Sequence, residues 1–380
     1  MEPPRKLTKE ERAFFLAEEE KYSRLLSEAL LSSPLCPKDK AHQKRMMDEL
    51  SRLHQLLQCK TVYLAHKIAE ALIKQEVPFY TSGRPLGLYV FYVLGIIKMD
   101  PAELGCPIEM ELGIESEPPT PFSMTFYVAE EDRKEVCDVI VHIDPGSHVF
   151  HTDIHSSERL NLGSFCLISK QLQEDHFLRR NGTSTDGVAS VTEAYEDSFL
   201  YCHRFVVVQT REMRQIRTLI RECGKGERSF ELFLKALKNE DFLPRWQLTV
   251  LENFEVKTFA DACYAEEMSS RLAEERQAGE AIFKDRDEVF LFFRSLGIDA
   301  QKSLTLATAA RKGRFKRLYG EDAHLKERIP QDKWDDLCAT HYLGTRMDNA
   351  ERVYTYMLLA YYEQNFPKAF ARTTPRLPKR

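Results

Sequence analysis

The sequence predicts an α+β fold, predominantly helical, and three observations carry that prediction. Apolar residues recur at three- and four-residue spacing over the first 75 positions and over most of the chain after 190. Between those regions lie short stretches that alternate in period two, the signature of half-buried strands. A polar run, R-N-G-T-S-T-D-G-V-A-S at 180–190, has linker composition. The expected organisation is a helical segment over 1–75, a small mixed-sheet domain over 76–178 and a flexible linker over 179–190. A helical domain follows over 191–372, then a basic tail over 373–380.

Taken in order, Thr8-Lys9-Glu10-Glu11 forms a capping box, in which the Thr hydroxyl and the Glu carboxylate satisfy each other's backbone N–H groups at a helix start. Pro34 and Pro37 mark a turn. A second helix covers 41–57 through Met46, Met47, Leu50, Leu53, Leu56 and Leu57, and a third carries Val62, Ala65, Ile68, Ala69, Leu72 and Ile73. Residues 86–97 are almost wholly apolar and read as a buried helix. Strands are expected at 122–128, 148–154 and 160–168, with a helix at 132–142. The β-branched run at 201–208 is the one strand-like stretch after the linker. Helices are expected at 210–223, 230–238, 258–266, 285–296, 301–311, 331–341 and 349–364.

The totals bound the function. With 380 residues, 43% hydrophobic and 30% charged, the chain can bury more than one core. A net charge of −5 rules out a globally basic nucleic-acid glove but permits local basic patches. No apolar run reaches the roughly 18 residues of a membrane span. The N-terminal stretch M-E-P-P-R-K-L-T-K-E-E-R lacks the apolar centre of a signal peptide. Nine scattered cysteines without a C-x-x-C pair indicate neither a disulfide framework nor a cysteine zinc site, so a reduced, cytoplasmic protein is expected.

Three constellations could carry chemistry. His151, Asp153 and His155 are spaced by two, which places them on one side of a strand. Imidazole with carboxylate suits a transition metal, and a polar strand face is the plainer reading. Arg211, Arg214, Arg217 and Arg221 share one helix face, with Met213, Ile216, Leu219 and Ile220 mostly on the other side. Arg311, Lys312, Arg314, Lys316 and Arg317 form a second basic cluster. Such cations hold phosphates without reading sequence, and the alternative is a solvated helix face. Glu109, Glu111, Glu115 and Glu117 read as a solvated loop.

The run T-S-G-R-P-L-G-L-Y-V-F-Y-V-L-G-I-I-K-M-D-P resembles the glycine-bearing nucleotide loop and buried helix of bacterial C-family replicative DNA polymerases, the family of the DNA polymerase III alpha subunit. Gly83, Gly87, Gly95, Ile96, Asp100 and Pro101 match, while the family's arginine falls on Ser82 and its serine on Arg84. Glu109 falls on a family glutamate, and P-P-T-P-F-S-M-T-F sits where the family carries P-D-x-D-x-D-F. F-H-T-D-I-H-S resembles the strand leading into the third catalytic aspartate. Two further runs, L-E-N-F-E-V-K-T-F-A-D-A-C and R-D-E-V-F-L-F-F-R-S-L-G-I-D-A-Q-K-S-L-T-L-A-T-A-A-R-K-G-R-F, follow the fingers of the Gram-positive form. So does N-F-P-K-A-F-A near the end. The resemblance covers roughly 45–175 and 245–375.

The resemblance implies a shortened palm and fingers whose carboxylates are gone. Pro121, Ser123 and Thr125 stand at acidic positions, and Ser164 or Asn161 takes the place of the third aspartate. Of the family's F-x-K-x-H-x-x-x-Y, which falls on Gly344, Arg346, Asp348 and Arg352, only the basic residue at Arg346 persists. Two Mg²⁺ ions need charged oxygen ligands, so the Mg²⁺ site is expected to be lost and no cofactor is expected beyond a transition metal at 151–155. Gly83, Arg84, Gly87 and Arg346 are the expected phosphate contacts. Arg211, Arg214, Arg217, Arg221, Arg311, Lys312 and Arg314 are the expected nucleic-acid contacts. The expected function is that of an inactive polymerase relative that binds DNA or another replication protein, in replication or a mobile-element context. The alternatives are a scaffold without nucleic-acid affinity and a metal enzyme built on the 151–155 strand.

Overall fold

The computed structural model describes residues 7–114, 122–155, 161–172, 202–224, 259, 262–267 and 282–373; the side chains of 84, 150–155, 161–162 and 164 are not described. The expected linker, the expected helix at 230–238 and the tail beyond 373 lie outside these residues. The fold is α+β and predominantly helical, with one mixed sheet. The chain divides into two compact units, Met1–Asp100 with Pro118–Arg221, and Pro101–Glu117 with Glu222–Arg380. The N-terminal helices and the sheet therefore share one unit instead of forming separate domains. The strand at 202–209 and the helix after it, expected in the helical region, also belong to that unit.

In the first unit, α1 (Lys9–Ser32) starts at the Thr8 capping box, with Glu11 N–H donating to Thr8 Oγ1 at 3.1 Å and Thr8 N–H to Glu11 Oε2 at 2.7 Å. For α2 (Lys40–Gln55), the Asp39 carboxylate accepts from the N–H groups of Ala41 and His42. The N-cap residue of α3 (Cys59–Lys74), Gln58, makes no side-chain cap. Its place is taken by Glu19 of α1, whose buried carboxylate accepts from the N–H groups of Cys59 and Lys60. An unsatisfied helix start inside a core costs about as much as a lost hydrogen bond, so this tertiary cap ties α1 to α3.

The sheet contains β1 (Tyr80–Arg84), β2 (Ser123–Val128), β3 (Ser147–His155), β4 (Asn161–Ser169) and β5 (Cys202–Gln209), in the order β1-β2-β5-β4-β3. β2 and β5 run parallel; the other neighbours are antiparallel. Period-two alternation buries Met124, Phe126, Val128, Phe165, Leu167, Phe205 and Val207 on one face. Phe126 sits between Phe79 and Phe205, with ring centroids 5.9 and 6.5 Å away, and truncating it to Ala costs about 3–5 kcal/mol. The helix α6 (Arg133–His142) follows β2, and α7 (Arg211–Cys223) follows β5. Residues 86–97 are buried as expected, but only α4 (Tyr89–Val93) is helical and the chain turns at 94–97.

The second unit packs α8 (Arg286–Ser295), α9 (Ala300–Arg311), α10 (Phe315–Tyr319), α11 (Ala323–Arg328) and α12 (Gln331–Ala339) around Phe290, Phe293, Phe315, Trp334 and Leu337. Phe315 stacks on Phe293 at 6.1 Å and meets Trp334 edge-on at 5.6 Å. The long helix α13 (Arg346–Asn365) and α14 (Pro367–Thr373) complete it. Here the sequence reading needs correction at Glu111. The residue lies in α5 (Ile108–Leu112), not a solvated loop, and is 4% exposed. Met110 and Leu112 draw the segment inward, and Arg286 Nη2, also 4% exposed, meets Glu111 Oε1 at 2.7 Å.

Candidate functional site

The strand expected to carry metal ligands forms as β2, with Ser123 exposed and Thr125 half-buried on the side opposite the apolar core. Register places Ser82, Thr125, Val206 and Ser164 in one row across β1, β2, β5 and β4. β5 therefore stands between the two positions expected to act together, which lie about 10 Å apart at ordinary strand spacing. Pro121 lies outside the described residues. Around this row the face carries hydroxyls and rings. Tyr80 and Tyr127 stack at 4.4 Å, and Ser82 Oγ donates to the Tyr127 hydroxyl at 3.1 Å. Neutral hydroxyls do not fit a pair of Mg²⁺ ions, which want charged oxygens. Among the described residues no three His, Cys, Asp or Glu side chains converge as a metal site. His151, Asp153 and His155 pair in register with Phe165, Gly163 and Asn161 on β4; their side chains lie outside the description.

The expected phosphate loop is occupied from within. Gly83 is a strand residue with φ +111° paired with Met124, and a Cβ there would overlap the Ser123 carbonyl. Close strand approach, not phosphate, demands the glycine. Gly87 is buried, and its carbonyl accepts from Arg45 Nη2 at 3.1 Å. The start of α4 has no side-chain cap of its own; Glu49 Oε2 accepts from Val90 N–H at 2.9 Å while Arg45 Nε meets Glu49 Oε1 at 2.8 Å. Glu49 is fully buried, and desolvation pushes its carboxyl up despite Arg45. A carboxylate thus holds the Val90 backbone donor, three residues beyond the expected phosphate contact Gly87. The Arg84 side chain is not described.

The motif at 344–352 behaves the same way. Arg346 Nε and Nη2 meet the two Asp285 oxygens at 2.9 and 3.3 Å, and its Nη1 donates to the Leu104 carbonyl at 2.8 Å. Burial pushes the Asp285 carboxyl up in spite of that pair. Gly344 N–H donates to Glu267 Oε1 at 2.9 Å, Asn349 Nδ2 to Glu267 Oε2 at 3.0 Å, and Arg352 Nη1 to Glu266 Oε1 at 2.7 Å. Asp348 N–H caps α13 on Thr345 Oγ1 at 3.1 Å. Arg346 is therefore a clamp within the second unit, whereas Gly83 and Gly87 belong to the first.

The two basic stripes part company. On α7, Arg214 pairs with Glu130, Arg217 with Asp132 at 3.2 Å and Arg221 with Glu131 at 3.6 Å. Arg217 Nη1 also donates to the Glu76 carbonyl at 2.6 Å. Met213, Ile216 and Leu219 are buried on the opposite side, as the spacing predicts, and Arg211 is exposed. Three of the row's cations thus pair with the acidic turn 130–132. By contrast, Lys312, Arg314, Lys316 and Arg317 are exposed. Neither they nor Arg311 has a carboxylate partner among the described residues.

One buried polar group escaped the sequence reading. Lys60, 3% exposed, meets Asp144 Oδ2 at 3.1 Å and Glu18 Oε2 at 3.3 Å. Burial opposes ionisation of Asp144, yet Lys60 and the Ser147 hydroxyl hold its carboxyl below the usual range. Beside it, His203 Nδ1 and Thr61 Oγ1 lie 2.8 Å apart, and His203 Nε2 has no hydrogen-bond partner among the described residues. Burial, then the charge of Lys60, pushes the imidazole down to about 3. Nothing local in the sequence marks these residues, which come together from two helices, a loop and two strand ends.

No family model matches the chain. No curated protein matches it either.

Proposed function

We propose that the chain is a non-catalytic relative of the DNA polymerase III alpha subunit that binds nucleic acid through the corner at 311–317. The observation that carries this reading is the contrast in pairing. Arg214, Arg217, Arg221, Arg346 and Arg352 each meet a carboxylate, while the five cations of the corner meet none among the described residues. Unpaired exposed cations keep their field for an external polyanion; paired ones have spent it locally. Loss of polymerase chemistry is supported by the hydroxyls at Ser123 and Thr125, which cannot offset two divalent ions.

The test is binding of a labelled oligonucleotide by fluorescence anisotropy across a salt series. Replacing Arg311, Lys312 and Arg314 with Gln should weaken binding and reduce the slope of log affinity against log salt by about 2 on a single strand. An unchanged slope sinks the assignment. Robust primer extension with Mg²⁺ or Mn²⁺ would overturn the non-catalytic half. The internal pairing on α7 and at Arg346 favours a second reading, a scaffold for protein partners, and absence of salt-dependent binding would select it.

A further inference from the structure

The basic corner is built around an aromatic ring that comes from elsewhere in the chain. Gly313 has φ +61°, and a Cβ there would overlap the backbone of His341. That close approach, closed by Leu343 N–H donating to the Arg311 carbonyl at 3.2 Å, lays the segment 341–343 against the turn between α9 and α10. Tyr342 is thereby seated beside the cations. The Arg311 guanidinium carbon lies 5.8 Å from its ring centroid, and Arg311 Nη2 donates to its hydroxyl at 3.4 Å. The ring is nonetheless 48% exposed.

Charge alone is a weak ligand here. The five residues of α10 extend only about 7–8 Å, room for contacts to very few phosphates. An exposed ring beside cations supplies what is missing, because a base stacked on an aromatic side chain gains roughly 5- to 150-fold in affinity. Only an unpaired base presents its face; in a duplex the faces are already stacked on one another. Arg311 occupies the ring as a cation does on an aromatic surface and holds its orientation. Resting on the nucleic-acid reading above, we propose that Tyr342 makes this corner a single-strand site: a base stacks on its ring while Lys312 and Arg314 hold the flanking phosphates.

The experiment uses the full chain, a labelled oligothymidylate and a duplex of equal length, compared by anisotropy at low salt. The single strand should bind more tightly. Tyr342→Ala should weaken the single strand by about ten-fold and leave the duplex unchanged, while Tyr342→Phe keeps the ring and retains most of the affinity. Lys312→Gln with Arg314→Gln should weaken both and lower the salt slope by about 1.4 on the single strand. Equal affinity for both forms, insensitive to Tyr342→Ala, overturns the stacking assignment while leaving the basic corner intact as a phosphate surface. Polyglutamate competing as well as oligothymidylate marks a general polyanion surface and overturns it too. No salt-dependent binding to either form removes the underlying reading as well. Thermal melts of the variants should coincide with that of the parent, since the ring is half-exposed, which separates binding loss from unfolding.

Discussion

Glu49 offers the sharpest test of the claim that the glycine-bearing loop is closed from within. Its carboxylate is fully buried and makes two directed contacts, to Arg45 Nε at 2.8 Å and to Val90 N–H at 2.9 Å. Glu49→Gln keeps an acceptor for Val90 but removes the charge facing Arg45. Burial outweighs Arg45 in raising the carboxyl, and Arg45, 16% exposed, can be partly resolvated, so loss of the charge alone is expected to cost under about 1 kcal/mol at pH 7. Glu49→Ala also strands the Val90 donor and should cost about 1–3 kcal/mol more. The sign of the pH dependence is fixed by the raised carboxyl. Just above 4.5 the folded state keeps a proton that the unfolded chain has lost, so stability falls as pH rises through that window. The Gln variant should lack this slope. Urea denaturation followed by circular dichroism reads the stability, and hydrogen exchange at the Val90 amide reads the local bond. Millimolar pyrophosphate should leave the parent protein's melting temperature unchanged, because the donor is occupied. A melting temperature that rises with pyrophosphate, or a Glu49→Ala variant within 0.5 kcal/mol of the parent, would refute the reasoning.

Glu111→Ala leaves Arg286, 4% exposed, with Asp287 as its remaining carboxylate partner among the described residues, and should destabilise the second unit by about 3–5 kcal/mol in a thermal melt. His203 should make the protein acid-labile. Its imidazole takes up a proton near 6.5 when unfolded and near 3 when folded, so stability falls as pH drops between those values, by up to the order of 4 kcal/mol. Denaturation midpoints measured from pH 7 to pH 4 should show that decline, and His203→Gln should flatten it. Burial raises the thiols of Cys59, Cys106 and Cys263, and the hydrogen bond with Cys166, then burial, raises that of Cys202, so native protein should react with a thiol reagent at far fewer sites than its nine cysteines, and urea should release the rest. Gly313→Ala should destabilise the α9–α10 turn, since both the positive φ and the His341 backbone oppose a side chain, and should loosen Tyr342, raising its fluorescence quenching by iodide.

Local signals were legible and non-local ones were not. The Thr8 capping box, the strands at 122–128 and 148–154, and the apolar side of α7 depend on neighbours within four residues, and each forms where the spacing puts it. β5 shows the limit. Its β-branched run was visible, but its place in the middle of the sheet depends on pairing with β2 and β4, and separation from them by the polar run at 180–190 suggested a different domain. Charge was the least legible property. A row of arginines looks the same whether it faces solvent or three acids, and the partner turn at 130–132 lies some eighty residues from α7. Glu111 was misjudged for the same reason, since Arg286 is remote in sequence.

The pattern of carboxylates bears on what an external anion would meet in this fold. A backbone N–H or guanidinium cannot simply be left empty inside a folded unit, because an unpaired buried donor or charge costs about 1–3 kcal/mol or more. Glu49 at the start of α4, Asp285 on Arg346, Glu267 on Gly344 and Glu266 on Arg352 meet that requirement with internal anions. Such carboxylates stabilise the fold and compete with any external phosphate at the same donors, so introducing aspartates at Ser123 and Thr125 alone should not create nucleotide affinity. Ser123→Asp with Thr125→Asp is expected to place two like charges on one exposed strand face and to leave nucleotide binding, read by the melting temperature with a deoxynucleoside triphosphate and Mg²⁺, at background. A clear thermal shift in that variant would mean that Glu49 and Asp285 yield to phosphate, and that the loop is gated by carboxylates instead of closed by them.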